Sequence, residues 1–235
     1  MVGMILLAVL AALIFFGAAS HYFSKIGVAN WVAFLVVFGL AVAAVLPPLR
    51  FYGVTLSYAG FFVPLLLGLI AFFSVLRSGG ILRTLAAIPA VAGIVLAARI
   101  TFSPFVNSIP SMLLIGIIGG VAAYAIGRTH IAVLTAVLLG IVLGDVIATL
   151  LFRYVLDTSV LLSFGQYGIF DAIVLGLLVS GIVLEASGAV ARLWRERRTV
   201  PIAAAAIEAG EDNDFEKVTR EEEEDFSEYF NDDID

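Results

Sequence analysis

Long apolar runs broken by short polar punctuation dominate this chain. Between charges and Gly/Pro breaks, seven runs stand out, at about 2–19, 31–49, 54–76, 84–100, 110–127, 131–152 and 166–187. A helix needs about 20 apolar residues to cross roughly 30 Å of hydrocarbon. Each run is therefore predicted to be a transmembrane helix. The run 84–100 is the weakest, being short, bracketed by Arg83 and Arg99, and carrying Pro89. It is expected to be tilted, broken or partly re-entrant.

Orientation follows from positive charge near the helix ends. With the N-terminus outside, the inner side holds Lys25, Arg77, Arg83, Arg128, Arg192, Arg195, Arg197 and Arg198, and the outer side holds Arg50, Arg99 and Arg153. That bias predicts about seven helices, N-out and C-in. A cleaved signal peptide would leave six. The Gly17-Ala18-Ala19-Ser20 stretch permits cleavage, but no Lys or Arg precedes the apolar core.

Composition sharpens this picture. The chain is 62% hydrophobic with a mean hydropathy of +1.10. A soluble domain is about half apolar, so the fold class is an all-α, polytopic helical membrane protein. There is no cysteine, which removes disulfides, thiol catalysis and thiolate metal sites. Residues 208–235 hold fourteen Asp/Glu against Lys217 and Arg220, a net charge of −12, while the rest of the chain is +6. The chain therefore divides into a transmembrane body, 1–199, and a cytoplasmic acidic tail, 200–235. Pro201 to Ala209 could extend a short alanine-rich helix; beyond Gly210 the composition is that of disorder. Phe215, Phe226, Tyr229 and Phe230 interleave with the acids and could form a short motif for a basic protein partner. The lipid bilayer is the main partner. Nucleic acid is not expected, because binding it needs a basic face.

Candidate chemistry is sparse. Before residue 190 the acids are Asp145, Asp157, Asp171 and Glu185. Asp145 and Asp171 lie inside apolar runs, where a carboxylate is costly and is usually paired or used. Counted from helix ends near residues 151 and 165, they lie about 10 Å and 8 Å below the outer boundary at 1.5 Å per residue. If they meet, a shared proton is the expected state, as in aspartic dyads. Such a pair could bind a cation, load a proton in transport or activate water for peptide hydrolysis. Gly144, Tyr167, Gly168 and Phe170 would line a solute site beside it. In the alternative reading each Asp caps a broken helix or faces a wet vestibule, and Asp171 sits near a first turn where the helix dipole favours it. Glu185 reads as interfacial, within reach of Arg192 or water, and Asp157 as a surface partner of Arg153. His21 and His130 lie near helix ends and lack a second ligand at helical spacing, so no metal is predicted. No cofactor is predicted either.

Gly116 with Gly120, Ala123 with Gly127, and Gly140 with Gly144 are small residues four apart, which let helices approach closely in lipid. A close neighbour at Gly144 would shield Asp145. There is also a faint internal echo. Gly60-Phe61-Phe62-Val63-Pro64-Leu65-Leu66-Leu67-Gly68-Leu69 matches Gly168-Ile169-Phe170-Asp171-Ala172-Ile173-Val174-Leu175-Gly176-Leu177 at Gly, Phe, Leu, Gly and Leu. Paired, Gly- or Pro-interrupted helices point toward transporter sites.

Leu143-Gly144-Asp145, then Gly165-Gln166-Tyr167-Gly168-Ile169-Phe170-Asp171-Ala172-Ile173-Val174-Leu175-Gly176, resemble an uncharacterised prokaryotic membrane family, domain of unknown function 1614. Ser57-Tyr58-Ala59-Gly60 with Pro64 is similar to an earlier Asn-x-Gly-Gly…Pro stretch of that family. The expected Asn near 57 or 58 is missing, Gln166 and Tyr167 replace small residues, and Ala172 replaces a glycine. The resemblance implies a multi-pass protein of the prokaryotic plasma membrane and supplies no activity. A weaker resemblance is to intramembrane aspartyl proteases, with Gly144-Asp145 and Phe170-Asp171 in reversed order and Pro89-Ala90-Val91 ahead of both. Three functions are thus in play: a small-solute or ion transporter coupled through Asp145 and Asp171, an aspartyl protease using the same pair, and a non-catalytic scaffold.

Overall fold

The computed structural model describes residues 2–15, 29–77, 80–102, 109–156, 162–166 and 168–209. Its helices are α1 (Val2–Phe15), α2 (Asn30–Val45), α3 (Tyr58–Arg77), α4 (Ile81–Thr101), α5 (Ile109–Gly127), α6 (His130–Val155) and α7 (Ile169–Ala209). Among the described residues, α3, α4, α5, α6 and the apolar part of α7 (Ile169–Ala191) are long and apolar enough to cross a membrane. Their outward faces carry large apolar side chains, among them Leu66, Ile70, Phe73, Leu82 and Ile182, each at least 59% exposed. Apolar surface on that scale is covered by lipid rather than water, so the chain is a membrane-embedded, multi-pass helical protein.

The helix α6 is the axis of the bundle: 72% of its most apolar stretch is buried, against 39% or less for the other four. Thr129 caps its start by accepting a bond from the N–H of Ala132 at 3.3 Å. Its glycines decide its closest neighbour. A Cβ placed on Gly140 would stand 2.7 Å from Val91 Cβ, and one on Gly144 would stand 2.6 Å from Val95 Cβ and 2.8 Å from the Ala92 carbonyl oxygen. The backbones of α4 and α6 thus touch along one face. In the same way Gly116 and Gly120 seat α5 on Leu175 and Gly176 of α7. A second core cluster joins Leu7 and Ile14 of α1, Val37 and Leu40 of α2 and Val174 of α7.

This packing predicts opposite outcomes for two Gly→Ala changes. Gly144→Ala overpacks the α4 contact and destabilises by about 1–3 kcal/mol. Gly39→Ala meets nothing within 4 Å and gains about 0.5–1 kcal/mol of helix propensity. Thermal unfolding of the two variants in detergent micelles checks both signs.

Of the alternatives for the run 84–100, the break is absent. The run forms one unbroken 21-residue helix, Pro89 included. Proline is tolerated in a membrane helix when neighbours satisfy the freed backbone groups, and the glycine face of α6 supports this stretch directly. An apolar groove of about 300 Å³, lined by Ile88, Pro89, Ala92, Leu96, Leu143 and Ile147, opens beside the proline.

Three short strands were not expected. β1 (Leu49–Phe51) and β2 (Val54–Leu56) form a hairpin, and β3 (Leu162–Phe164) lies parallel to β2. The hairpin turn places Tyr52 at φ 44° and Gly53 at φ 82°, the double positive φ of a two-residue type I′ loop. Pro47 and Pro48 stop α2 at Val45, because a residue before proline avoids helical angles. The helix predicted from residue 54 therefore begins at Tyr58 instead. At the other end of the chain, α7 continues past the expected body boundary at 199 to Ala209. The expectation of an acidic, disordered tail falls on residues 210–235, outside the described residues.

Candidate functional site: a buried arginine–aspartate pair

Asp145 lies on α6 ten residues before that helix ends at Val155, about 15 Å along it at 1.5 Å per residue. It is 2% exposed. Arg99, in the last turn of α4, is 4% exposed and donates from Nη2 to Asp145 Oδ1 at 2.9 Å. The same nitrogen donates to the Gln166 carbonyl oxygen at 3.3 Å. The other carboxylate oxygen, Oδ2, accepts the Gly165 N–H at 2.7 Å. Two transmembrane helices and the segment between β3 and α7 are tied together at one point.

Local chemistry explains why each group can sit there. Arg99 is at the C-terminal end of α4, where the helix dipole favours a cation. Asp145 is next to Gly144, whose missing side chain lets α4 come close enough for the arginine to reach. Removing one partner takes away the opposite charge that the buried other one faces, whereas together they are neutral and hydrogen-bonded.

The segment held by this pair is also clamped from the opposite side. Ser57 donates its N–H to the Phe164 carbonyl at 3.1 Å, and Ser57 Oγ accepts the N–H of Gly60 at 3.2 Å, capping α3. Gly60 and Gly165 stand back to back. A Cβ on Gly165 would lie 2.5 Å from the Gly60 carbonyl carbon and 2.7 Å from the Phe61 nitrogen, and a Cβ on Gly60 would run into the Gly165 carbonyl. Gly165 also has φ +70°, in the left-handed region that favours glycine.

The residues singled out from sequence fall out as follows. The partner of Asp145 is a cation, Arg99, and not the second carboxyl of Asp171. Asp171 lies in the first turn of α7 and is partly buried, the position where a helix dipole favours an acid. The predicted start of that helix near 165 moves to Ile169, because Gly165 belongs to the clamped segment and Gly168 turns at φ +84°. Gly144 serves the α4 contact. Phe170, like Val63 and Leu67, packs against the cluster formed by α1, α2 and Val174. Tyr167, Asp157 and His21 lie outside the described residues. Glu185 faces His130: Nε2 and Oε1 are 3.7 Å apart at the opposite end of α6, each side chain about a third exposed or less; the side chain of Arg192 lies outside the described ones. Among the described residues no three His, Cys, Asp or Glu gather as a metal site.

Arg99 is the residue that sequence reasoning misplaced, as an outer flanking charge. A signal was present. One arginine at the edge of an apolar run and one aspartate within another are natural partners, since each alone is far more costly in hydrocarbon than both together.

Comparison with protein-family models, with curated proteins and with solved structures returns no match to this chain.

Proposed function

We propose that the chain is a seven-span, N-out and C-in transporter of a small solute or ion, in which Asp145 couples proton or cation movement to the opening of the segment it holds. The observation that supports this best is the pair itself. A fully buried ion pair adds little stability over well-packed apolar residues, so its presence at membrane depth points to use. Protonating or otherwise neutralising Asp145 removes the negative charge that faces Arg99 and weakens the hold on Gly165. Neutralisation at one atom is thereby linked to release of a backbone segment, which is what a coupled gate requires. Asp171, at the head of the same helix α7, is the second acidic group of this mechanism, available to a solute or cation once the segment moves.

The orientation gains support from the same reading. With Arg99 withdrawn from the outer flank, the charge balance becomes eight inside to two outside, which strengthens the positive-inside bias. The segments that carry the resemblance to domain of unknown function 1614 come near one another here: Gly60 packs on Gly165, and Gly165 and Gln166 bond to the Asp145–Arg99 pair. That convergence favours a shared site in a prokaryotic plasma-membrane family. The protease reading would require Asp145 to leave its arginine before it could activate water, since both of its oxygens are engaged.

The test is flux in liposomes. Full-length protein is reconstituted around a pH-sensitive dye and challenged with proton, Na⁺ and K⁺ gradients. Wild type should dissipate at least one of these, and Asp145→Asn should reduce that rate at least tenfold. Equal flux in both proteins, or none in either, defeats the transporter assignment.

A further inference from the structure

The sequence echo between α3 and α7 aligns Gly60 with Gly168 and Gly68 with Gly176, a displacement of 108 residues. The parallel strands repeat that number independently. Val54 faces Leu162, Thr55 faces Ser163 and Leu56 faces Phe164, each pair again 108 apart. Strand register is fixed by hydrogen bonding and echo register by side-chain identity, so nothing obliges the two to agree. The wider element order follows suit. Moving α1, α2 and α3 on by 108 places them at 110–123, 138–153 and 166–185, the first two within α5 and α6 and the third, after its first three positions, within α7. The first series reads helix, helix, two-strand hairpin, helix, and the second helix, helix, strand, helix; β3 answers β2, and the positions that would answer β1, 157–159, lie outside the described residues. Only α4 lies between them.

We propose that the chain is two copies of one three-helix unit joined by α4, and that the β2–β3 seam is the joint along which the copies part, latched by Arg99 and Asp145. One spanning helix between two odd-numbered units gives both units the same orientation in the bilayer, the arrangement of parallel repeats related by an axis along the membrane normal. In such proteins one repeat moves against the other around the site between them. The polar part of the seam is the β2–β3 pairing, the Ser57–Phe164 bond and the Gly60–Gly165 contact, and apolar packing of Leu7, Ile14, Val37 and Leu40 on Val174 and of Gly68 on Leu139 continues it through the helices.

The latch belongs to one side only. The position equivalent to Asp145 in the first unit is Val37, and that of Asp171 is Val63. The arginine comes from α4, which has no counterpart. Charge was thus placed asymmetrically on a repeated frame, where it can hold the second unit's strand segment in register without a matching constraint on the first.

The inference builds on the transporter reading, and its main test reads movement rather than flux so that the two can fail separately. The chain has no cysteine, so single cysteines report without background. Ser163, on the seam, is 6% exposed, and Ala136, in the core of α6, is fully buried. Ser163→Cys and Ala136→Cys are made in the full chain, with and without Asp145→Asn, and labelled in liposomes with a membrane-impermeant maleimide. Labelling at 163 should rise at least tenfold when the latch is neutralised, while position 136 stays protected. No rise at 163, or an equal rise at both positions, overturns the proposal, the second because it marks general loosening. Arg99→Lys keeps the charge and loses the fork, and it supplies the same readout if Asp145→Asn is not recovered folded. Thr55→Cys with Ser163→Cys adds a reversible lock, since adjacent strands place Cα atoms about 5 Å apart, within disulfide reach. Where wild type carries flux, oxidation should abolish it and reduction restore it; flux unaffected by the lock overturns the joint while leaving the transporter assignment standing.

Discussion

Arg99→Met lowers the stability of the detergent-solubilised protein by about 3–5 kcal/mol, because it strands a buried carboxylate. The loss extends beyond Coulomb attraction. Asp145 also holds the Gly165 N–H, and Arg99 also holds the Gln166 carbonyl, so the segment before α7 loses one anchor outright and keeps another only by bonding to an uncompensated charge. Asp145→Leu should behave similarly, since it leaves the guanidinium buried. The double variant, Arg99→Met with Asp145→Leu, should recover most of the loss, because replacing a whole buried pair with apolar side chains of similar volume is often neutral. Chemical or thermal denaturation of the four proteins closes a double-mutant cycle. Additive losses would mean that the pair does not act as a unit. On the transporter reading proposed above, flux separates stability from use: the double variant should fold well and transport nothing.

Gly165→Ala is the second large effect, and it acts on the opposite wall of the same segment. The new methyl group would stand 2.5 Å from the Gly60 carbonyl carbon, on backbone that cannot swing aside. The left-handed φ adds roughly 1–2 kcal/mol for any residue with a Cβ, and the overpacking adds roughly 1–3 kcal/mol more. Gly60→Ala meets the Gly165 carbonyl head-on and should be at least as disruptive, without the conformational penalty. Folded yield by size-exclusion chromatography should fall sharply for both. Wild-type yield for Gly165→Ala would show that the segment does not sit between α3 and the ion pair as described.

Helices were readable in the sequence because continuous apolar runs admit few alternatives in lipid, where every backbone group must be satisfied within the segment. Close approach at Gly140, Gly144, Gly116 and Gly120 was readable too, since small residues four apart have one common use in membranes. The strands were hidden. Leu49–Phe51, Val54–Leu56 and Leu162–Phe164 are three residues each, too short for alternation to register, and they look like fringes of neighbouring helices. The site was half legible. Asp145 announced itself as a carboxylate in an apolar run. Its partner did not, because an arginine near a helix end is ordinarily an interfacial charge, and only the tertiary contact through Gly144 carries Arg99 inward. The likeness of the two aspartates in sequence suggested a pair that the packing does not make for Asp145.

The helix that begins beside the clamped segment spans 41 residues, about 61 Å at 1.5 Å per residue, roughly twice the hydrocarbon thickness of a bilayer. Half of α7 is therefore surplus to crossing. As a rigid rod pivoting near Gly168, it converts angle into distance: a tilt of about 10° displaces its far end by about 10 Å over that length. A shift of atomic size at Arg99 and Asp145 would thus be felt at Ala209 as a movement as wide as a helix.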